Sequence, residues 1–318
     1  MSEQRAPDVP DAFRRAMIEV GGEEGRAWLD QLSDLLTELA GQWALSLGPP
    51  VAHLTYNYVA PVTRADGAAA ILKVAPPNNE FSCEVEALRL FDGQGMARLL
   101  AADLNQRAAL IERLEPGTAL MDVLAHGEDD RATRIAADVL RRLWRPAPPD
   151  HPFPTTADWG RGFARLRQTF GGATGPFPAP LVEQAERLFD ELHATAAAPV
   201  LLHGDLNYGN VLLGRREAEH GEETWLAIDP KGLVGEPIYD TGVLLRDPVD
   251  DIVAHPQPRQ LLERRIALLA DELGFDRERL RLWGMAQAVL SAWWTYEDHG
   301  VVGEGALACA AWLAEIRA

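Results

Sequence analysis

Apolar residues recur at helical spacing through residues 11–45, which predicts a long amphipathic helix near the start of the chain. Its apolar positions are Trp28, Leu32, Leu35, Leu36 and Leu39. Gly21–Gly22 is the expected break. The pattern then changes, and residues 51–62 and 68–74 are predicted strands on either side of a turn at residues 64–67 (RADG). Asp-Gly is a hairpin signal, so we expect these strands to pair.

Helical spacing returns at residues 81–91, and the apolar run at 108–114 is a further predicted strand. Downstream, helices are predicted at 130–145, 238–246, 258–273, 276–297 and 303–317. Proline-rich residues 146–154 and the Gly/Pro-rich residues 171–180 cannot continue a helix.

This order of elements predicts an α+β fold with two lobes, and 318 residues suit about two domains. We assign residues 1–114 to a small N-terminal lobe with an antiparallel sheet, preceded by a helical segment. Residues 115–318 form a larger, mainly helical C-terminal lobe that is interrupted by short strands.

The net charge of −18, from 30 basic and 48 acidic side chains, makes nucleic acid a poor partner. The acidic surface favours either plain solubility or attraction of a cationic small molecule, and composition does not choose between them. Residues 1–10 are polar without a signal-peptide pattern, and no apolar run could span a bilayer, so we expect a cytoplasmic protein that does not bind membranes. Cys83 and Cys309 are predicted to be small core residues, because two distant cysteines favour neither a disulfide framework nor a zinc site.

Residues 201–213 (LLHGDLNYGNVLL) place a polar cluster between two strand-like apolar runs. One interpretation is a polar turn. The other follows from spacing, because Asp205 and Asn210 are five residues apart, as in the kinase catalytic loop. There the Asp faces the acceptor hydroxyl and the Asn holds Mg²⁺, a cation that prefers hard oxygen ligands and takes few from the protein.

A second carboxylate follows at the end of the predicted strand 225–229 (WLAID), after a charged, hairpin-like loop at 215–223. Asp229 lies 24 residues after Asp205, where a kinase-like fold places its second metal ligand. Taken alone, Asp229 is typical of a turn or a helix cap. Its order and distance relative to Asp205 and Asn210 favour the metal-ligand interpretation.

A lysine lies inside the apolar strand of residues 70–74 (AILKV), which is the arrangement of the kinase V-A-I-K motif. Lysine is rarely buried unless it is paired. We prefer Glu84 to Glu86 as the partner of Lys73, because helical spacing from Leu88 turns Glu84 inward. The alternative is an exposed charge on an edge strand.

Together these motifs resemble the aminoglycoside phosphotransferase family, a branch of the protein-kinase-like fold. Residues 203–212, 228–240 and 244–248 (LLRDP) are similar to its streptomycin 6-kinase and hydroxyurea phosphotransferase subgroup, as are residues 91–100 and 110–117. The resemblance covers roughly residues 50–300 and implies a kinase that uses ATP or GTP with Mg²⁺.

The resemblance implies a role for each matching residue. Asp205 would orient the acceptor hydroxyl or act as base, and His203 and Asp240 would brace its loop. Asn210 and Asp229 would hold Mg²⁺. The nucleotide-binding residues would be Lys73, Glu84 and a hinge formed by Ile111, Glu112, Arg113 and Leu114.

The chain departs from the family pattern at two places. The family often has His where this chain has Asn207, and residues 55–58 stand where a protein kinase has its G-x-G-x-x-G loop. We expect the first change to tune the loop without abolishing transfer. The second weakens only an assignment as a protein kinase.

The resemblance favours a cationic small-molecule acceptor, an aminocyclitol antibiotic of the streptomycin type. Candidate acceptor-binding residues are Trp159, Lys231, Trp293, Trp294, Glu297 and Asp298. The alternative for residues 291–298 is a helix with core aromatics and a solvated acidic end. Two other functions stay open, namely phosphorylation of another small hydroxylated metabolite and nucleotide binding without catalysis. A metal hydrolase built on His203 and Asp205 lacks a further cluster of ligands.

Overall fold

The computed structural model describes residues 9–52, 54–77, 80–216 and 221–317. The chain divides into two compact units, Met1–Gly117 and Thr118–Ala318. The polar N-terminus used to exclude a signal peptide and the centre of the charged loop at 215–223 lie largely outside the described residues.

The first unit begins with helix α1 (Asp11–Gln42), which contains a break at Gly22, where φ is +53° and ψ is −131°. Its sheet has the strand order β1-β2-β3-β5-β4 and is antiparallel throughout. The strands are β1 (Leu45–Leu47), β2 (Tyr58–Arg64), β3 (Ala69–Val74), β4 (Leu99–Asp103) and β5 (Ala108–Glu112). The apolar face of α1 shares one buried core with this sheet, which explains the helical periodicity of the sequence.

The predicted hairpin is confirmed, because β2 pairs with β3 and Gly67 N–H donates to the Arg64 carbonyl at the turn. The prediction that the first strand begins at residue 51 is wrong. Val51 N–H donates to the Val59 carbonyl, so the chain loops back toward β2 before that strand begins. The predicted second helix is α2 (Glu80–Phe91), which follows β3.

The second unit is mainly helical. Its helices are α3 (Leu120–Ala125), α4 (Asp129–Leu143), α5 (Thr156–Thr169), α6 (Ala179–Ala194), α7 (Thr241–Leu244), α8 (Val249–Ala254), α9 (Pro258–Leu273), α10 (Arg277–His299) and α11 (Glu304–Glu315). The short strands are β7 (Val200–Leu202), β8 (Val211–Arg215), β9 (Glu223–Ala227) and β10 (Leu233–Gly235), with β6 (Pro116–Ala119) at the boundary of the two units. Strand β7 pairs with β10, and β8 pairs with β9, both antiparallel.

Helix α10 runs through the core of the second unit and contacts α5, α6, α7, α9 and α11. Close packing against α5 depends on Gly162, because a Cβ atom there would lie 2.5 Å from the Leu290 Cδ1 atom. The sequence did not predict α5 or α6. The start of α5 carries a capping box in which the Thr155 and Asp158 side chains bond each other's backbone N–H groups, a short signal that the preceding prolines obscure.

The α+β fold with one antiparallel sheet and a larger helical part is confirmed. Cys309 is buried as predicted, but Cys83 is only half-buried, so its assignment to the core is wrong. Within the described ranges, every helix is too short or too polar to cross a membrane.

Candidate active site

The polar segment 203–210 connects β7 to β8, and the fold anchors its first residues through a buried carboxylate. Asp240, at the start of α7, accepts the N–H groups of His203 at 3.0 Å and Gly204 at 2.8 Å. The Trp144 indole N–H also donates to Asp240, at 3.1 Å. A buried carboxylate needs such partners, and these bonds fix the entry to the loop.

The His203 ring is fully buried and its hydrogen bonds define its tautomer. Asp205 N–H donates to Nδ1 at 3.2 Å, so the proton lies on Nε2, which donates to the Ile228 carbonyl at 2.9 Å. Burial lowers the pKa of His203 to about 4 and keeps the ring neutral. His203 therefore ties the backbone of Asp205 to the segment that carries Asp229.

Asn207, the residue that departs from the family pattern, caps the turn that follows it. Its Oδ1 atom accepts the N–H groups of Gly209 at 2.9 Å and Asn210 at 3.1 Å. These groups belong to a 3₁₀ turn over Tyr208–Asn210, in which the Asn210 N–H also donates to the Asn207 carbonyl at 3.1 Å. Asn207 supplies the capping oxygen that this turn requires.

Asn210 is oriented by the loop itself. Its Nδ2 group donates to the Asp205 carbonyl at 3.0 Å, which leaves Oδ1 as the amide atom that can face a cation. The Ile228 N–H donates to the Asn210 carbonyl at 2.9 Å, so the residue before Asp229 lies beside Asn210. Asp229 itself adopts a left-handed backbone with φ of +59°.

These donors fit a Mg²⁺ ion. One amide oxygen and one carboxylate form a hard-oxygen donor set, and Mg²⁺ usually takes one or two protein ligands and completes its shell with phosphates and water. Across the described ranges, no cluster of three or more His, Cys, Asp or Glu side chains could hold a metal alone. A two-ligand site that is completed by a nucleotide agrees with that finding.

Asp205 is surrounded by charges of both signs. Burial raises its pKa to about 6. The cations Arg246 and Lys231 oppose that shift, whereas the carboxylates Asp229 and Asp247 add to it. The pKa of the Asp205 carboxyl therefore lies much closer to neutral pH than that of an exposed aspartate.

In the first unit, Lys73 and Glu84 form a buried ion pair. The Lys73 Nζ and Glu84 Oε1 atoms are 2.7 Å apart, and the two residues are 5% and 7% exposed. Glu86 instead pairs with Arg89 on the outer face of α2. The structure therefore contains the pair that the helical spacing indicated, with the ammonium group held in place by a carboxylate.

The four predicted hinge residues lie at and after the end of β5. Ile111 is buried in the strand, opposite Ile71 of β3. Glu112 N–H donates to the Arg98 carbonyl at 2.8 Å, and its carboxylate accepts the Arg98 N–H at 2.9 Å. Arg113 pairs with Glu115 at the surface, and Leu114 is buried. The strand end is thus firmly positioned.

Comparison with known proteins decides the family. The family described as aminoglycoside/hydroxyurea antibiotic resistance kinase matches residues 42–299. The chain belongs to this family. Its sequence is 34% identical to a streptomycin 6-kinase of Streptomyces glaucescens over 94% of both chains, and 33% identical to a hydroxyurea phosphotransferase of Kitasatospora aureofaciens over 92% of this chain and 82% of that one.

Solved structures of kinases share the fold of this family member. A choline kinase of Streptococcus pneumoniae superposes with a TM-score of 0.62 at 13% identity, covering 90% of this kinase and all of that chain. An amicoumacin kinase gives 0.58 at 14% identity over 92% and 95% of the two chains. Because the chain belongs to a family of antibiotic resistance kinases and resembles streptomycin 6-kinases over nearly its whole length, it is an ATP-dependent kinase with a small-molecule acceptor, which argues against nucleotide binding without catalysis.

Two of the predicted acceptor residues of the kinase flank the catalytic loop. Gly204 has φ of +87°, and a Cβ atom there would lie 3.3 Å from the Trp159 ring and 3.0 Å from the Lys231 Cβ atom. The Trp159 ring makes an edge-to-face contact with Trp294, with centroids 5.2 Å apart. Both tryptophans are half-buried, so each exposes part of its ring.

The structure buries one of the other acceptor candidates and pairs a second one with an arginine. Trp293 is only 2% exposed and packs against Phe170, Phe177 and Tyr296, so it belongs to the core. Glu297 accepts a bidentate pair of bonds from Arg165 at 2.6 and 2.9 Å, so its carboxylate already has a cationic partner. Asp298 is exposed at the end of α10.

Sequence reasoning gave no role to Arg246 or Asp247 of the LLRDP segment. Asp247 accepts the Tyr208 N–H through its carboxylate, and Arg246 is the main cationic influence on Asp205. The available signal was a charged pair inside an apolar segment that resembled the family.

Proposed function

We propose that this kinase transfers the γ-phosphoryl group of ATP to a hydroxyl group of an aminocyclitol antibiotic of the streptomycin type. The observation that carries the proposal is the braced loop in which Asp205 and Asn210 are tied to each other and to the segment before Asp229. The streptomycin 6-kinases among its relatives support the choice of acceptor, since the similarity covers nearly their whole length.

In this proposal Asp205 contacts the acceptor hydroxyl and takes or orients its proton. A carboxylate with a pKa of about 6 is ionised at neutral pH but remains basic enough to share a proton in the transition state. The neutral His203 ring keeps the Asp205 backbone fixed, so the carboxylate is placed before the acceptor arrives.

Asn210 and Asp229 would hold Mg²⁺ through their oxygen atoms, and Asp205 would lie near them, in the same loop as Asn210. When bound, Mg²⁺ neutralises charge on the phosphate oxygens. The Asn210 amide is pre-oriented by the Asp205 carbonyl, so binding the cation requires little rearrangement of the side chain.

Lys73 would contact the nucleotide phosphates, with Glu84 holding its ammonium group in place. A lysine at this position acts as a point charge, and its buried carboxylate partner keeps it from adopting other rotamers. The backbone of Ile111, Glu112, Arg113 and Leu114 would meet the adenine base.

Trp159, Trp294 and Lys231 would line the acceptor site beside Gly204. The half-buried rings of the two tryptophans suit guanidinium or amine groups through cation–π contacts, and the net charge of −18 favours the approach of a cation. These features support a cationic acceptor, and Lys231 would face phosphate oxygens.

A coupled assay of ADP release with purified protein tests the acceptor. We expect turnover with streptomycin and with streptidine-containing analogues. Hydroxyurea belongs in the panel because a relative phosphorylates that compound, and a wider set of hydroxylated metabolites represents the remaining alternative. Turnover with hydroxyurea or a metabolite, but with no aminoglycoside, would contradict the proposed acceptor and keep the phosphotransferase mechanism.

The Asp205→Ala variant tests the mechanism. We expect transfer to fall by about 10³-fold or more, because general base catalysis and positioning are lost together. Nucleotide affinity, measured by calorimetry, should stay within about threefold of the wild type, since Asp205 is not a nucleotide ligand in this scheme. Near-normal turnover in this variant would overturn the role of Asp205.

A further inference from the structure

A buried arginine connects three parts of the second unit. Arg265 of α9 is only 2% exposed, and its Nη1 atom donates to the carbonyl oxygens of Leu244 at 2.7 Å and Asp247 at 2.6 Å. Its Nε and Nη2 atoms bind the Asp129 carboxylate at the start of α4, with a shortest distance of 2.6 Å. A guanidinium group can be buried only when its donors are satisfied in this way, so its position is closely defined.

Tyr208 of the catalytic loop is held against this arginine. The Arg265 guanidinium carbon lies 5.2 Å from the centroid of the Tyr208 ring, which is fully buried. The Tyr208 hydroxyl is 3.1 Å from Thr133 Oγ1 of α4, and its N–H donates to Asp247 Oδ2 at 3.0 Å. Backbone, ring and hydroxyl of one residue are therefore each fixed by a different element.

Tyr208 occupies a sensitive place in the chain. It is the first residue of the 3₁₀ turn that ends at Asn210, and Asn207 caps that turn from the other side. A turn of this length has little stability of its own, so its position depends on tertiary contacts. A shift of Tyr208 would move Asn210, whereas Asp205 is separately held by His203.

We propose that Asp247 and Arg265 are positioning residues for the metal-binding end of the catalytic loop, which act on Asn210 through Tyr208. The inference rests on the proposed function, in which Asn210 is a Mg²⁺ ligand. It explains the role of the LLRDP segment. The carbonyls of Leu244 and Asp247 accept hydrogen bonds from Arg265, and the Asp247 carboxylate accepts the Tyr208 N–H. Neither residue touches the substrates in this scheme.

The test compares Asp247→Ala and Arg265→Lys with variants that keep the relevant contact or lie elsewhere. Asp247→Asn retains an oxygen that can accept the Tyr208 N–H. Arg281→Lys is the matched control, because Arg281 is also buried and bonded to a carboxylate and a carbonyl, those of Glu278 and Leu313. Should Asp247→Ala fail to fold, Tyr208→Phe removes only the hydroxyl contact with Thr133.

The main measurement is calorimetric binding of the non-hydrolysable ATP analogue AMP-PNP with and without Mg²⁺. We expect Asp247→Ala and Arg265→Lys to weaken the Mg²⁺-dependent affinity by about tenfold, the usual effect of losing an outer-shell support. Metal-free affinity should stay unchanged. Asp247→Asn should lose less than about threefold, and Tyr208→Phe should move in the same direction as Asp247→Ala by a smaller factor. Arg281→Lys should bind like the wild type even if its Tm falls.

The outcomes separate this inference from the function on which it rests. If Asn210→Ala shows the metal defect while Asp247→Ala, Arg265→Lys and Tyr208→Phe do not, the positioning role is overturned and the proposed function stands. If Arg281→Lys shows the same defect at an equal loss of Tm, the effect is general destabilisation and the inference also fails. If Asn210→Ala has no metal defect, the metal role of Asn210 fails first.

Discussion

The catalytic loop at residues 203–210 and the end of α10 at residues 291–298 are both short stretches rich in polar and aromatic side chains, but the fold uses them in opposite ways. In the loop, side-chain and backbone groups bond each other and Asp240, which fixes the backbone around Asp205 and Asn210. At the end of α10, Trp293 is buried in an aromatic cluster and Glu297 is paired with Arg165.

The difference shows how a reacting site is distinguished from packing. In the loop, Asp205 keeps the energetic cost of a buried carboxylate, visible in its pKa, which burial raises to about 6. At the end of α10, by contrast, the aromatic contacts of Trp293 stabilise the unit. The five-residue spacing of Asp205 and Asn210 is informative because hydrogen bonds fix the backbone between them. His203 and Asn207 make those bonds.

The largest effect is expected when the Asn207 side chain, which caps the turn over Tyr208–Asn210, is removed. We expect Asn207→Ala to lower kcat by about 10- to 100-fold, because the Gly209 N–H loses the side-chain oxygen, the Asn210 N–H keeps only the carbonyl of residue 207, and Asn210 shifts. Asn207→Asp keeps the acceptor oxygens and should retain most activity. Steady-state kinetics at saturating ATP and acceptor checks both variants. A kcat within about twofold of wild type in Asn207→Ala would show that the cap does not position the loop.

The dependence of kcat on pH tests the role of Asp205 in the loop. Protonated Asp205 cannot accept the hydroxyl proton, so kcat should fall roughly tenfold per unit as pH drops below its pKa of about 6. Lys231→Met removes a cation that lowers this pKa, so its acid limb should move to higher pH. Glu297→Gln, at the end of α10, should leave the limb in place. A flat profile down to pH 5 would contradict the role of Asp205.

Trp159, which lies beside the loop at residues 203–210, and Trp293, which is buried in α10, should respond differently to substitution. Trp159→Leu should raise the acceptor KM by about tenfold with a smaller change in kcat, because a partly desolvated cation–π contact is worth about 1–2 kcal/mol. Trp293→Leu should instead lower stability by roughly 1–3 kcal/mol and leave the acceptor KM unchanged. Kinetics and thermal unfolding of both variants check this. The reverse assignment of effects would place Trp293 in the acceptor site.

The smallest effect is expected at the acidic end of α10. Glu297→Gln breaks an ion pair whose side chains are 48% and 25% exposed, so stability should fall by no more than about 1 kcal/mol. The acceptor KM should change by less than about twofold, since Arg165 already neutralises Glu297. Asp298→Asn is the exposed control. A large rise in KM for Glu297→Gln alone would return Glu297 to the acceptor site.

Local patterns predicted the first unit and the loop well. The hairpin, α1 with its break at Gly22 and the Lys73–Glu84 pair all depend on neighbours within a few turns of chain or on strict periodicity. Strand β4 was missed, because its half-exposed residues lack a clear alternation. The glycine and proline content around α5 and α6 likewise concealed two helices.

Contacts between distant residues could not be predicted in the same way. Trp293 and Trp294 are adjacent on one helix, and contacts with the distant Phe170 and Phe177 help to bury Trp293. Glu297 is neutralised by Arg165, which lies 132 residues away. The link from Arg265 to Asp129 spans 136 residues, so the support beneath Tyr208 became visible only in three dimensions.

The left-handed backbone of Asp229, with φ of +59°, limits which substitutions this position can accept. Among residues with a side chain, Asp and Asn tolerate that conformation best. Asn at position 229 should therefore preserve the local backbone while removing the anionic charge. We expect the Asp229→Asn variant to keep the fold and lose phosphoryl transfer. Such an inactive variant would be suited to crystallising the nucleotide and the antibiotic together.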